Sequence, residues 1–426
     1  MHSFHYRDGE LFCEEVRLAQ AAEEFGTPLY LYSAATILDH YHRLDRALHE
    51  IDHLISYAVK ANSNGAILKL LSNAGAGFDI VSGGELFRVL RAGGDPGRCT
   101  FAGVGKTPEE MGYALEQRVY CLNVESEGEL ERIEEIADAK NIRAPVALRI
   151  NPDVQAHTHE YVSTGSEENK FGITLADAPR LYARAAQMRH IDLRGVQMHI
   201  GSQITAAAPF AEAIRKVTPL ARELKEKYGI EFLSIGGGLG IVYERSIASG
   251  ERAWWAEGHQ LSIQEYADAI LPELRGLGLR ILLEPGRLLV GNAGVLLTRV
   301  LYLKESGRKR FAVVDAGMND LIRPALYGSY HEIVPVEQPS TEQRSEIDIV
   351  GPVCESGDFL ARDREMPPVA AGDLLAVMST GAYGFTMASN YNSRLLPAEA
   401  LVDGNCVRLI RRRQTWQDLV CGETDC

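Results

Sequence analysis

The chain has 426 residues, 46% of them hydrophobic and 24% charged, an ordinary globular composition whose length suggests two domains rather than one. The net charge of −14 argues against nucleic acid or an anionic membrane as partner. A protein that neutralises phosphates needs basic patches, and the only dense one here is Arg411-Arg412-Arg413, which reads as the solvated end of an element.

In chain order, the opening MHSFHYRDGE carries no apolar core of signal-peptide length. A turn at Asp8-Gly9, a strand-like Leu11-Phe12 and a helix near 18–24 follow. Short apolar runs then recur at 55–59, 78–81, 100–102, 120–124, 146–150, 195–200, 232–235 and 280–283. Between them, 84–92, 125–139, 176–188, 210–228 and 263–274 carry helical spacing and good helix formers. Strands alternating with helices mean parallel units, and eight of them predict an α/β chain with a (β/α)8 barrel; a doubly wound open sheet is the alternative. Beyond 288 the pattern changes to valine-rich runs at 294–303, 311–315, 346–350, 373–378 and 406–411, separated by turns. This predicts a second, β-rich domain, barrel- or sandwich-like. The expected division is 29–285 for the barrel and 1–28 with 286–426 for the β-rich domain. Two excursions, 153–170 and 243–260, exceed normal loop length; the first is a candidate lid, and the second, with Trp254-Trp255, has no assigned role. No 18-residue apolar run occurs, and the seven cysteines are scattered and never spaced C-x-x-C, so neither a membrane span, a disulfide framework nor a zinc site is expected. A cytoplasmic protein with reduced thiols fits that usage.

Barrel chemistry sits at the C-terminal ends of the strands. The first candidate strand ends at Lys60, the second holds Asp79 and runs into Ser82-Gly83-Gly84-Glu85, and the fifth holds Arg149. The sixth holds His199 and exits through Gly201-Ser202-Gln203, the seventh ends in Gly236-Gly237-Gly238 and the eighth in Glu284-Pro285-Gly286-Arg287. Any one of these reads equally as a loop residue; the set on one rim does not. The glycine run and Gly286 can present backbone N–H groups to a phosphate, although glycine triplets alone are often only tight turns. A lysine desolvated in a barrel mouth forms Schiff bases, and with a phosphate site nearby it suits pyridoxal 5′-phosphate. Glu284 would then keep the cofactor's pyridine nitrogen protonated and His199 would stack on its ring. A metal site through His199, Asp79 and Glu284 is discounted, because the spacing matches no metal motif.

The chain resembles the barrel-plus-β-domain family of pyridoxal-phosphate decarboxylases, which includes the ornithine and arginine decarboxylases, and within it the diaminopimelate decarboxylases. The likeness runs over nearly the whole chain: Y-A-V-K-A-N (57–62), F-D-I-V-S-G-G-E (78–85), R-I-N-P-D-V (149–154), S-T-G and K-F-G (163–165, 170–172), H-I-G-S-Q (199–203), G-G-G-L-G (236–240), E-P-G-R (284–287), D-A-G-M-N-D-L-I-R-P-A-L-Y (315–327), G-P-V-C-E-S-G-D (351–358) and G-A-Y-G-F-T-M-A-S-N-Y-N (381–392). The resemblance implies that Lys60 carries the cofactor, with Asp79, Arg149, His199 and Glu284 around its ring. Ser202, Gly236, Gly237, Gly238, Gly286, Arg287 and Tyr383 would serve the phosphate side. It implies a homodimer in which the Cys354-Glu355-Ser356 loop completes the partner's site, Cys354 lying next to the reacting carbon. Arg323, with Arg287, Tyr327 and Tyr383, would grip the substrate's distal carboxylate, and Glu355 its distal ammonium. A guanidinium suits a carboxylate, so the implied reaction is decarboxylation of meso-2,6-diaminopimelate to L-lysine and carbon dioxide. The alternatives are a decarboxylase of the same fold acting on carboxynorspermidine, ornithine, lysine or arginine, or a non-catalytic homologue that binds pyridoxal phosphate.

Overall fold

In the computed structural model, which describes residues 1–154, 170–341 and 343–424, the alternating runs become eight parallel strands that close on themselves. They are β1 (His53–Ala58), β2 (Gly77–Ile80), β3 (Cys99–Phe101), β4 (Cys121–Val124), β5 (Ala144–Asn151), β6 (Ile191–Met198), β7 (Phe232–Ser234) and β8 (Arg280–Leu283). Each pairs with the next, and β8 pairs with β1 through Ile281↔His53 and Leu283↔Ile55, so the barrel has no open edge. All eight strands fall where the apolar runs predict them, shifted by a few residues at most.

Alternation along the strands sorts the interior into layers. Leu54, Cys121, Ala147, Phe232 and Leu282 pack into one apolar layer. Two residues further along their strands lie Ser56, Asn123, Arg149, Ser234 and Glu284, all buried and all polar. The barrel is therefore plugged with hydrocarbon below and lined with polar groups towards the ends where its strands exit.

The helices start where side chains can cap them. Ser82 accepts from the N–H of Glu85, Ser126 from Glu129, and Thr107 and Ser262 open full capping boxes with Glu110 and Glu265. The stretch read as helical over 176–188 is shorter, Ala178–Ala185, with Pro179 in its first turn.

The chain divides into two compact units, one of Leu38–Gly240 with Gln260–Leu288, the other of Met1–Ile37, Ile241–His259 and Leu289–Cys426. This differs from the expected boundaries at 29 and 285. Residues 29–37 leave the barrel because Leu29–Ser33, buried at all five positions, is a central strand of the second unit's sheet. It runs antiparallel to Gly294–Ser306 and parallel to Ala398–Asp403. Residues 241–259, which had no assigned place, belong to this unit as well. Their backbone is tied in by His2 Nε2 to Ser246 O at 2.7 Å and Asn292 Nδ2 to Val242 O at 2.7 Å. Residues 286–288 stay with the barrel. Among the described residues no helix is long and apolar enough to cross a membrane.

Candidate active site

Strand β1 ends in a single 3-10 turn, Val59–Ala61, which carries Lys60 out of the barrel wall. The register pairs Ala58 with Asp79, so the Asp79 carboxylate arrives beside the lysine and accepts from Nζ at 2.7 Å. The asymmetry is informative: the Asp79 side chain is fully buried, whereas 39% of the Lys60 side chain is exposed. Asp79 Oδ1 is buried without a partner among the described residues. Glu85, inside the Ser82-capped helix Gly83–Arg91, accepts from the Val81 N–H at 2.8 Å. Burial lifts its carboxyl from 4.5 to about 7, against the pull of that N–H and of Lys60.

On the strand beside β1, Glu284 follows β8 and is buried. Ser234 Oγ donates to its Oε1 at 2.6 Å and Gln197 Nε2 to its Oε2 at 3.0 Å. Burial pushes the Glu284 carboxyl upward and Asp79 adds to it; Ser234, Lys60 and Gln197 act in the other direction. His199 is buried too, and burial, then the charges of Arg149 and Lys60, hold its imidazolium well below the usual range. Its Nδ1 accepts the N–H of Gly237 at 3.3 Å, so the ring is a neutral imidazole whose proton resides on Nε2. Arg149 lies against the Phe171 ring, 4.8 Å from its centroid, and donates to both oxygens of Glu125 at 3.1 Å. Glu125 also accepts from the N–H groups of Gly103 and Gly172, at 3.1 and 3.2 Å.

The glycine run behaves differently from a simple phosphate nest. Gly236 directs its N–H onto Ser234 Oγ at 3.3 Å and Gly237 directs its own onto His199 Nδ1 at 3.3 Å. Gly237 is glycine because β8 passes so close: a Cβ there would sit 2.2 Å from Glu284 O. Gly238, at φ +110°, remains a candidate anion donor, with Gly286 and Ser202. Arg287 Nη2 donates to Ser202 Oγ at 2.9 Å.

The remaining expected residues lie in the second unit. Arg323 opens the short helix Arg323–Tyr327 and is only 6% exposed, which rules out a surface salt bridge. Its Nη2 donates to Ser329 Oγ at 3.2 Å and its Nε to His331 Nε2 at 3.4 Å. The guanidinium carbon is 5.3 Å from the Tyr243 ring centroid and 5.7 Å from that of Tyr327. Tyr383 holds a left-handed backbone at φ +57°. Cys354 and Glu355 are exposed, and the Cys354 N–H donates to Asn392 Oδ1 at 2.9 Å. Most of the candidate lid, 155–169, lies outside the described residues.

Sequence motifs missed Glu125, Gln197, Ser234 and Tyr243. Gln197 and Ser234 each stand two residues before a chosen one, His199 and Gly236, but a polar residue inside an apolar run carries no signal of its own. Glu125 follows β4 directly and fits the strand-end rule that found the others.

Residues 34–291 match the family model described as the pyridoxal binding domain of the pyridoxal-dependent decarboxylases. The chain belongs to that family. It is 51% identical to a diaminopimelate decarboxylase of Pseudomonas aeruginosa over 427 residues, covering 100% of this chain and 99% of the relative. Against the Vibrio cholerae enzyme of the same name it is 49% identical, covering 98% of each. The crystal structure of diaminopimelate decarboxylase from Helicobacter pylori complexed with L-lysine superposes with a TM-score of 0.88 at 40% identity, covering 95% of this chain and 98% of that one. The donor set here suits a pyridoxal group: a partly exposed amine at Lys60, a buried carboxylate held by two donors at Glu284, and an orphaned buried oxygen on Asp79.

Proposed function

We propose that this decarboxylase acts on meso-2,6-diaminopimelate, releasing carbon dioxide and leaving L-lysine. The observation that carries the reading is Lys60, an amine half open to solvent on a barrel rim and set against a fully buried carboxylate, in a chain similar end to end to diaminopimelate decarboxylases. Pyridoxal phosphate, when bound, supplies a sink for the electrons left on Cα as carbon dioxide departs. The chain's own residues do the rest. Lys60 holds the cofactor and afterwards releases the product. Glu284, kept in place by Ser234 and Gln197, would serve the ring nitrogen, and His199, held neutral by burial, would stack on the ring without adding a positive charge. Arg149 would serve the ring's phenolic oxygen, and Ser202, Gly238, Gly286 and Tyr383 would hold the phosphate. Cys354 returns a proton to Cα.

What distinguishes diaminopimelate from a simple diamine precursor is a second carboxylate. Arg323, buried with hydroxyl, imidazole and aromatic neighbours, is the cation suited to it, with Tyr327 and Arg287 beside it in role and Glu355 for the distal ammonium. Two copies form the working enzyme, each lending Cys354 and Glu355 to the other. The exposure of both residues supports that arrangement. The free thiols among the described residues support a reducing, cytoplasmic setting.

The test is carbon dioxide release from the cofactor-loaded protein with meso-diaminopimelate, ornithine, lysine, arginine and carboxynorspermidine in parallel. Release from diaminopimelate alone, with lysine formed, supports the proposal; release from another amine overturns the substrate. Mixing Lys60→Ala with Cys354→Ala subunits should recover part of the activity that each lacks, since one mixed site is intact.

A further inference from the structure

Ser234 and Gln197 lie outside every motif that suggested the site, yet they are the residues that touch Glu284. Ser234 Oγ accepts the Gly236 N–H at 3.3 Å, which directs the hydroxyl's own proton to Glu284 Oε1 at 2.6 Å. The Glu284 backbone N–H in turn donates to Gly236 O at 2.8 Å. From the neighbouring strand, Gln197 Nε2 donates to the second carboxylate oxygen at 3.0 Å. The circuit ties the carboxylate after β8 to the glycine turn after β7, and every member is nearly excluded from water: Ser234 at 0%, Gln197 at 2% and Glu284 at 6% exposed.

A carboxyl so deeply buried sheds its charge by keeping its proton unless donors oppose that. Here each oxygen receives one donor. Gln197 makes the point most clearly, because its amide leaves Oε1 buried without a partner among the described residues while its N–H reaches Glu284. A side chain present only to fill the barrel would be apolar, as in the layer below. We propose that Gln197 and Ser234 are positioning residues that keep Glu284 an anion and, through Ser234, fix its spacing from the glycine turn, so that one rigid unit receives both the ring and phosphate ends of the cofactor. The proposal rests on the reading of Glu284 given above.

The experiment is a set of double-mutant cycles in the full-length holoenzyme, pairing Gln197→Met or Ser234→Ala with Glu284→Gln. The quantities measured are kcat, KM for meso-diaminopimelate, and the pyridoxal phosphate dissociation constant from the bound cofactor's absorbance. Each single substitution should lower kcat by about tenfold, the loss of a hydrogen bond to a charged group, with KM within about threefold. In the Glu284→Gln background the same substitutions should change kcat by less than about twofold, because the charge they hold is gone. Ser234→Ala should also weaken cofactor binding several-fold, and Ser234→Thr should restore it. Equal losses in both backgrounds, or unchanged kcat in the singles, overturn the proposal. If Ser234→Ala fails to fold, the Gln197→Met cycle decides. If the wild-type protein binds cofactor but releases nothing from diaminopimelate, the functional reading falls, and the dissociation constants across the same cycles still decide the clamp.

Discussion

The rim of the barrel carries two lysines held in opposite ways. Lys106 gives its three protons to Gly103 O at 2.8 Å, Asn123 O at 2.7 Å and Glu129 Oε1 at 2.5 Å, and its side chain is 1% exposed. Lys60 is braced by Asp79 at 2.7 Å but keeps 39% of its side chain open. An ammonium with every proton committed in a dry pocket joins β3 and β4; it has no route to an incoming carbonyl. An ammonium set against a buried carboxylate, with its side chain partly open to solvent, is oriented and still reachable. The difference separates a structural lysine from a reactive one more sharply than burial of the residue as a whole does.

Exchanging the two lysines for neutral side chains sharpens that contrast most. Lys60→Ala should fold, lose the bound cofactor's absorbance and retain only a trace of carbon dioxide release. Lys106→Met strands Glu129 as a buried charge and should cost about 3–5 kcal/mol in urea denaturation. A Lys106→Met protein of normal stability that no longer takes up cofactor would break the comparison.

Next in size is a pH effect centred on Glu85, which sits near the Lys60–Asp79 pair. Its folded pKa is raised from 4.5 to about 7, so the folded state binds the extra proton between those values. The stability this confers is fully present below 4.5 and is lost as pH rises through about 7. Glu85→Gln keeps an acceptor for the Val81 N–H and should flatten the fall in apoprotein melting temperature across that window. An unchanged slope would show that Glu85 is not the titrating group.

The smallest effect belongs to the barrel's outer surface, where Glu127 pairs with Arg180 at 3.0 Å and also with Arg184. These side chains are solvated, and salt screens them. Glu127→Gln should leave activity unchanged and shift the melting temperature barely, with any shift vanishing at high salt.

Much of this was legible before the fold was known, for a physical reason. In a parallel barrel both faces of each strand are covered, so strands appear as short apolar runs, and the polar residue ending each run marks the working rim. Lys60 and Glu284 end their runs, Asp79, Arg149 and His199 stand inside theirs, and all five were picked out as rim candidates from that pattern. Leu29–Ser33 was not, because LYLYS is buried at every position and its strand partners, at 294–297 and 398–402, are remote in sequence. The glycine run has a further reason that only the register reveals: Gly236 and Gly237 answer to the close passage of the chain after β6 and β8. Gln197 and Ser234 escaped because a Gln or Ser inside an apolar run signals nothing until its partner, Glu284, is known to lie opposite.

That same strand, Leu29–Ser33, has a consequence for how the molecule is made. It is synthesised long before one of its neighbours, Ala398–Asp403. The barrel's strands, by contrast, each pair with the next one to appear, and only its closure waits for β8. The sheet of the second unit is therefore a high-contact-order assembly whose central strand waits, unpaired and apolar, until its remote partners have been made. A nascent chain in that state offers a sticky edge to its surroundings, so the demand for chaperone protection falls on the N-terminal segment rather than on the barrel that carries the chemistry.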